Sequence, residues 1–311
     1  MSFLFHQNMR RYGGGSRPRR DAYNSPFGGF AIINGGLPAP LPAIAVAGFT
    51  EITNNRSSRA ALATSCEVLG GMVAGPAPAL VPIGNVACGI TALAHGPEYI
   101  YLARNTNYPL VTVGRILFQT GRGGVQLLHQ RAATAAALNN LRLPPTASAD
   151  FRGLVYCVVT TPAGNIAVGF LHNLYTFLAN RTIVAGQLGG MMAMMGQGIG
   201  TLPAVAPAPV ARYIGGDFNV APISPRGGYT AYSTSAPGGS YPAGAAGVGT
   251  TYSGSLYDYW YSDVTGLAVP PGLIVPVPVA STATLDSGPG ALAAGLARRM
   301  SDHTATLLQI S

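Results

Sequence analysis

Residues 43–50 form an apolar run with no polar break. Such a run, bounded by turn residues, predicts a strand buried on both faces. It stops at Glu51. The same pattern recurs along the chain. Residues 2–8 read as a short strand ending at Asn8, and residues 89–93, 99–103, 110–117 and 125–128 as a meander broken by Asn and Gly. Residues 153–160 and 165–171 read as a hairpin around the turn Thr161-Pro162-Ala163-Gly164, whose second strand ends at His172 and Asn173. Residues 256–262 read as an aromatic strand centred on Asp258, and residues 304–310 as a last strand after His303. Helical spacing is expected over 55–72, 131–141 and 174–199; the methionines of the third segment are simplest as core filler.

One stretch departs from this alternation in a useful way. The apolar residues Tyr213 and Ile214 run into Gly215 and Gly216, then Asp217, Phe218 and Asn219. Residues i and i+2 of an extended chain face the same side, so Asp217 and Asn219 emerge together. An acid beside an amide suits work on a phosphate or its metal ion, while an Asx turn at a strand end is the plain alternative. Company decides between them. Asn8, Glu51, His172, Asp217, Asn219, Asp258, Asp302 and His303 each lie at or near a strand terminus. That ordered set describes a polar site along the edge of a β-sandwich.

Composition adds two constraints. The chain has 311 residues and 48% apolar residues, enough for a sizeable core, and only 9% charged residues. It has only ten acids, so an acid inside an apolar run needs a reason. The net charge is +8, and all 18 basic residues are Arg. Arginine binds phosphate bidentately, so a phosphate-rich partner fits, although a nucleotide-composition bias would also remove lysine. Arg10, Arg11, Arg17, Arg19 and Arg20 crowd a Gly- and Pro-rich stretch, read either as a solvated loop or as a phosphate-backbone contact.

Other readings fall away. Cys66, Cys88 and Cys157 are odd in number and unpaired in spacing, which argues against a disulfide framework or zinc site and suits buried thiols in a reducing compartment. Gly121-Arg122-Gly123-Gly124 lacks the end of a P-loop, and the glycines at 196–200 follow a helical pattern instead of opening one. The order Ser301-Asp302-His303 is no hydrolase triad, because adjacent side chains on an extended segment point apart. The most apolar region, 186–210, is broken by Gly and Pro, so no membrane span is expected. No signal-peptide pattern opens the chain, so a cytoplasmic location is expected, with effector- or toxin-like delivery as an alternative. The whole of 1–311 reads as one domain with an Arg/Gly-rich loop at 9–42 and a Gly/Ser/Pro/Tyr loop at 223–254; residues 266–280 read as extended or polyproline.

These motifs resemble the endonuclease/exonuclease/phosphatase superfamily, whose members include pancreatic deoxyribonuclease and exonuclease III. The resemblance runs nearly end to end. It is carried by residues 3–8 ending at Asn8, residues 44–52 around Glu51, Phe151-Arg152, residues 170–173, residues 215–222, Tyr257-Asp258-Tyr259-Trp260 and Ser301-Asp302-His303. It implies an α/β fold: a four-layer α/β sandwich of two mixed β-sheets packed face to face, with flanking helices. It also implies a divalent-metal-dependent phosphodiester hydrolase. Glu51 would bind the ion directly, Mg²⁺ with Mn²⁺ as the alternative, with Asn8 and Asp302 beside it. Asp217 would orient or deprotonate the attacking water, and Asn219 would position it. His303, held by Asp258, and His172 would bind or protonate phosphoryl oxygens. Arg152 and Asn173 would bind substrate phosphate. The resemblance points to nucleic acid as partner, DNA before RNA, with no obligate protein partner. A phosphodiesterase or phosphatase acting on phospholipid or inositol phosphates is the alternative, and a binding protein on an inactive scaffold is a third reading.

Overall fold

The strand Phe151–Thr161 shows how the chain is layered. Its residues Val155, Cys157 and Val159 face one apolar cluster, and Leu154, Tyr156 and Val158 face another. The two-residue period of a strand divides the side chains between two faces, and both faces are buried here. The computed structural model describes residues 2–12, 43–52, 80–90, 97–121, 124–143, 151–173, 184–222, 229–232, 256–269, 303 and 305–310.

The described strands, in chain order, are β1 (Ser2–Tyr12), β2 (Ala43–Ile52), β3 (Leu80–Ile90), β4 (Pro97–Asn105), β5 (Leu110–Gly121), β6 (Gly124–Ala132), β7 (Phe151–Thr161), β8 (Gly164–His172), β9 (Ala211–Asp217), β10 (Thr230–Tyr232), β11 (Asp258–Ser262) and β12 (Thr306–Gln309). Helices α1 (Ala135–Asn139) and α2 (Leu188–Met194) accompany them. Hydrogen bonding orders the strands β10-β11-β9-β8-β7-β5-β6 and β3-β4-β2-β1-β12. Among the described residues, these two sheets join through one register pair, Ile90 with Phe151. Each sheet is mixed: β1 runs parallel to β2 and β8 parallel to β9, while the remaining described pairs are antiparallel.

The sheets pack face to face. Leu4, Val46, Leu102 and Leu308 from one meet Val155, Val168, Phe170 and Trp260 from the other. Two glycines make room for the largest rings. A Cβ on Gly48 would lie 2.2 Å from the Phe170 ring, and one on Gly215 would lie 2.6 Å from the Trp260 ring. The far face of the larger sheet is covered by α2 and its neighbours, with Met191, Met192 and Met195 fully buried against Tyr156 and Ile214. Methionine therefore fills the core there, as its flexibility allows. Helix α1 seals β3: the Asn139 side chain accepts from Ala87 N at 3.0 Å and donates to Asn85 O at 2.7 Å. Its own start is capped by the Thr134 hydroxyl, which accepts from Ala137 N at 3.1 Å.

Several boundaries differ from expectation. The first strand continues past Asn8 to Tyr12, into the stretch read as loop, because β2 still pairs Tyr12 with Ile52. Strand β3 begins at Leu80, hidden by Pro82 and Gly84. Among the described residues one side of β3 pairs with β4 and the other carries the Ile90 pair alone, and the β3–β4 register shifts between Pro82 and Gly84. The Ala-rich segment expected to be helical over 131–141 starts as strand and narrows to α1. The loop read over 223–254 contains β10, which pairs with β11 through Tyr232 and Trp260. The helical segment 174–199 keeps α2 as its longest described helix, and residues 174–183 lie outside the described set. So do the helix expected over 55–72, most of the Arg-rich stretch, Cys66 and Asp302. Cys88 and Cys157 are buried free thiols. No described helix is long and apolar enough to cross a membrane.

Candidate active site

The parallel pairs bring the polar strand ends together. In the larger sheet, His172 on β8 pairs with Asp217 on β9, and Asp217 pairs in turn with Asp258 on β11. These three residues form one row. In the smaller sheet, Asn8 on β1 pairs with Thr50 on β2, one residue before Glu51. The Asn8 side chain closes the gap between sheets: its Nδ2 donates to Glu51 Oε1 at 3.2 Å and to Asp217 Oδ2 at 3.1 Å.

Local backbone serves this convergence. Glu51 has φ 56° and Asn219 φ 51°, both in the left-handed region that non-glycine residues rarely enter. The β2–β4 register shifts between Phe49 and Ile52, a bulge that re-aims the Glu51 side chain. At Gly216 a Cβ would lie 2.0 Å from the Leu171 carbonyl oxygen. Only glycine lets β9 come close enough to β8 to set Asp217 beside His172.

Asp217 is the hub. Its side chain is 2% exposed. Oδ1 accepts from Asn219 N at 2.9 Å. Oδ2 accepts from Asn8 and faces two imidazoles, His172 Nε2 at 3.7 Å and His303 Nε2 at 3.8 Å. Burial pushes the Asp217 carboxyl above its ordinary range, and the Asp258 charge adds to the rise while His303 opposes it. Asn219 in turn donates from Nδ2 to Asn173 O at 3.1 Å, and Asn173 donates to Phe218 O at 2.8 Å. Asn173, fully buried, thus braces the Asp217–Asn219 loop.

Each imidazole has a partner behind it. His303 Nδ1 lies 2.7 Å from Asp258 Oδ2. His172 Nδ1 is hydrogen-bonded to Glu98 Oε1, and Glu98 Oε2 is ion-paired with Arg152. Burial, with help from Arg152, holds the His172 pKa down at about 4, so the ring is neutral at pH 7. With its proton on Nδ1 facing Glu98, His172 offers an Nε2 lone pair to the cleft, 3.5 Å from Glu51 Oε1. The His172 Nε2 atom and the carboxylates of Glu51 and Asp217 then converge.

That donor set suits a divalent cation. Ligand atoms of Glu51, His172 and Asp217 all lie within 4.8 Å of one another, as do those of Asp217, Asp258 and His303. Glu51, 20% exposed, is the member of the first group that reaches solvent. Carboxylate oxygens favour hard ions and an imidazole nitrogen favours softer ones, so the set admits a divalent ion without selecting one.

The structure thus assembles Asn8, Glu51, Arg152, His172, Asn173, Asp217, Asn219, Asp258 and His303, while Asp302 lies outside the described residues. Two members were missed from sequence. Glu98 follows Gly96 and Pro97 at the start of β4. It was detectable only as one of ten acids in the chain. His6, fully buried behind the site, was absorbed into an apolar strand.

The burial shifts have a consequence for stability. The folded pKa of His172 lies below the unfolded value of 6.5, so the unfolded chain binds more protons between the two. Stability from this group is complete above pH 6.5 and falls as the pH drops towards 4. His6, lowered to about 3 by burial, acts in the same direction over a wider window. A shift of 2.5 units is worth on the order of 3 kcal/mol. Asp217 opposes them, because its raised pKa favours the fold as acid is added. In the Asp217→Asn protein with EDTA, the urea midpoint is therefore expected to fall steadily from pH 6.5 to pH 4. A midpoint unchanged across that range would contradict the burial of both rings as neutral groups.

No protein-family model matches the sequence, and no curated protein matches it. Solved structures do. An endonuclease/exonuclease/phosphatase from Bacteroides vulgatus aligns over 99% of this chain and 98% of its own, at 12% identity and TM-score 0.53. A mannosyl-6-phosphatase of Bacteroides thetaiotaomicron aligns over 100% of both chains, at 14% identity and TM-score 0.51. A family protein from the same organism aligns over 98% of this chain and 96% of its own, at 13% identity and TM-score 0.51. At such identities the likeness establishes the fold, a DNase I-like sandwich of two mixed sheets.

Proposed function

We propose that this chain, which has the endonuclease/exonuclease/phosphatase fold, is a divalent-metal-dependent phosphoester hydrolase, and specifically a nuclease acting on DNA. The observation that carries the reading is the surroundings of Asp217 Oδ2. One oxygen of a buried, hydrogen-bonded carboxylate faces the Nε2 atoms of two histidines. Each histidine is backed by an acid, Glu98 or Asp258. This is the layout of a site that handles protons around an anionic centre.

Glu51 is the residue to hold the ion, with Asn8 steering its carboxylate and Asp302 as a further ligand. A bound Mg²⁺ or Mn²⁺ supplies charge neutralisation of a phosphate oxygen and of the leaving alkoxide. Asp217 takes the proton of the attacking water, its raised pKa making it a better base than an exposed carboxylate. The Asn219 N–H fixes the carboxylate for that transfer. His303, oriented by Asp258, faces the phosphoryl oxygens from the far side. Arg152 acts through Glu98 on His172, and Asn173 acts by bracing the Asp217–Asn219 loop.

DNA is favoured by charge. A net +8 carried entirely by arginine attracts and grips a phosphate backbone. The same chemistry would cleave an inositol phosphate or a phospholipid headgroup, so the test is a substrate panel. Purified protein with Mg²⁺ is incubated with supercoiled plasmid, single-stranded RNA, and phosphoinositide-containing vesicles. Nicking of the plasmid, abolished by EDTA and faster than release from RNA or vesicles, is the expected result. Vesicle hydrolysis with intact plasmid would replace DNA by a lipid phosphate as substrate.

A further inference from the structure

His6 lies inside β1, two residues before Asn8, and by the strand period shares its face. It has no exposed surface, and its ring stacks on Phe170 at 6.3 Å between centroids. Nε2 sits 3.2 Å from the Thr50 hydroxyl. Nδ1 makes no hydrogen bond and lies 3.9 Å from Asp258 Oδ1. The other oxygen of Asp258 holds His303 Nδ1 at 2.7 Å. A fully buried carboxylate therefore stands between two imidazoles.

The tautomer follows from the partners. A neutral imidazole has one N–H and one lone pair, a hydroxyl can donate or accept, and a carboxylate only accepts. With the proton on Nδ1, Thr50 donates to Nε2 and the Nδ1–H points at Asp258. With the proton on Nε2, a lone pair would oppose a carboxylate oxygen between two fully buried side chains, which is costly. At 3.9 Å the contact exceeds a hydrogen bond, so its pull is that of an N–H dipole on a buried charge.

We propose that His6 is a positioning residue: its Nδ1–H holds Asp258 as the acceptor of His303 and so aims the His303 Nε2 into the cleft. The inference rests on the hydrolase reading above. Gln7 grips the same pair from its backbone side, donating from Nε2 to the His303 carbonyl at 3.1 Å. Strand β1 thus reaches the last histidine twice, once through a carboxylate and once through the main chain.

The test combines a spectrum with kinetics. In the full chain labelled with ¹⁵N-histidine, a long-range ¹H–¹⁵N correlation reads the His6 tautomer, assigned by its disappearance in His6→Asn. The Nδ1–H form is expected, and the Nε2–H form would overturn the proposal. Asparagine places an amide where Nδ1 stood, glutamine reaches the Nε2 side towards Thr50, and phenylalanine keeps only shape and stacking. On bis(p-nitrophenyl) phosphate with Mg²⁺, His6→Asn is expected to keep kcat within about threefold of wild type. His6→Gln and His6→Phe are expected to lose about tenfold or more in kcat, the loss typical of an outer-shell partner, with KM little changed. Equal kcat in all three variants would overturn the proposal. If His6→Gln or His6→Phe does not fold, the wild-type tautomer, assigned with His6→Asn, still decides it. Absence of wild-type turnover would sink the hydrolase reading while leaving the tautomer spectrum readable.

Discussion

Asp217→Asn is expected to slow Mg²⁺-supported cleavage of bis(p-nitrophenyl) phosphate by about 10³-fold, within the range that a positioned general base supplies. The amide keeps the shape and can still accept from Asn219 N or from Asn8. It cannot accept a proton, and it presents an NH₂ group where Oδ2 faced both imidazoles. The fold is expected to survive. Burying a carboxylate is costly, as its raised pKa records, and removing the charge relieves that cost. Against this stands one donor facing a donor, because Asp217 accepts from Asn8 and Asn219 on different oxygens. The two terms oppose each other, so circular dichroism and the melting temperature are expected to change little. Kinetics within tenfold of wild type would remove Asp217 from the chemistry.

Glu51→Gln is expected to act on the ion instead of the proton. The amide preserves length and can still accept from Asn8 Nδ2. It loses the negative charge that a hard cation needs. Outer-shell partners alone are worth roughly 10–100-fold in metal affinity, so loss of a direct ligand should raise the Mg²⁺ concentration for half-maximal rate by about 10²-fold or more. A rate restored at high Mg²⁺ would separate this variant from Asp217→Asn, which no ion concentration rescues. An unchanged Mg²⁺ dependence in Glu51→Gln would move the ion elsewhere. The location of Glu51 makes it the sensitive residue: it sits on a bulge at the mouth of the cleft, with a backbone conformation that serves the site and not the strand.

The parts of this site that were legible in the sequence share one property. Asn8, Glu51, His172, Asp217 and Asp258 interrupt apolar strands, and a polar residue at the end of a buried strand is conspicuous. Local pairing was legible too: the β7–β8 hairpin closes on a turn written in Thr161 to Gly164. What sequence did not yield is non-local. Glu98 joins the site because β4 lies between β3 and β2, an order no local pattern encodes. His6 looks like any strand residue until Asp258, 252 positions away in the chain, is set beside it. Strand β3 was obscured by Pro82 and Gly84, between which its register with β4 shifts, and β10 by the Gly-, Ser- and Tyr-rich composition around it. Helix was over-read at 131–141, where alanine content outweighed the cross-strand pairs that carry β6 through Ala132.

We propose that one cleft, built on Asp217 and Glu51, hydrolyses phosphoesters with a divalent ion. The measurement closest to it is turnover of bis(p-nitrophenyl) phosphate by the purified wild-type chain, assayed with added Mg²⁺, with EDTA, and with Mg²⁺ restored in excess. Turnover that appears with Mg²⁺, vanishes in EDTA, returns with the ion and is lost in Asp217→Asn is the expected result. Turnover that is indifferent to EDTA, or that persists in Asp217→Asn, would contradict the account.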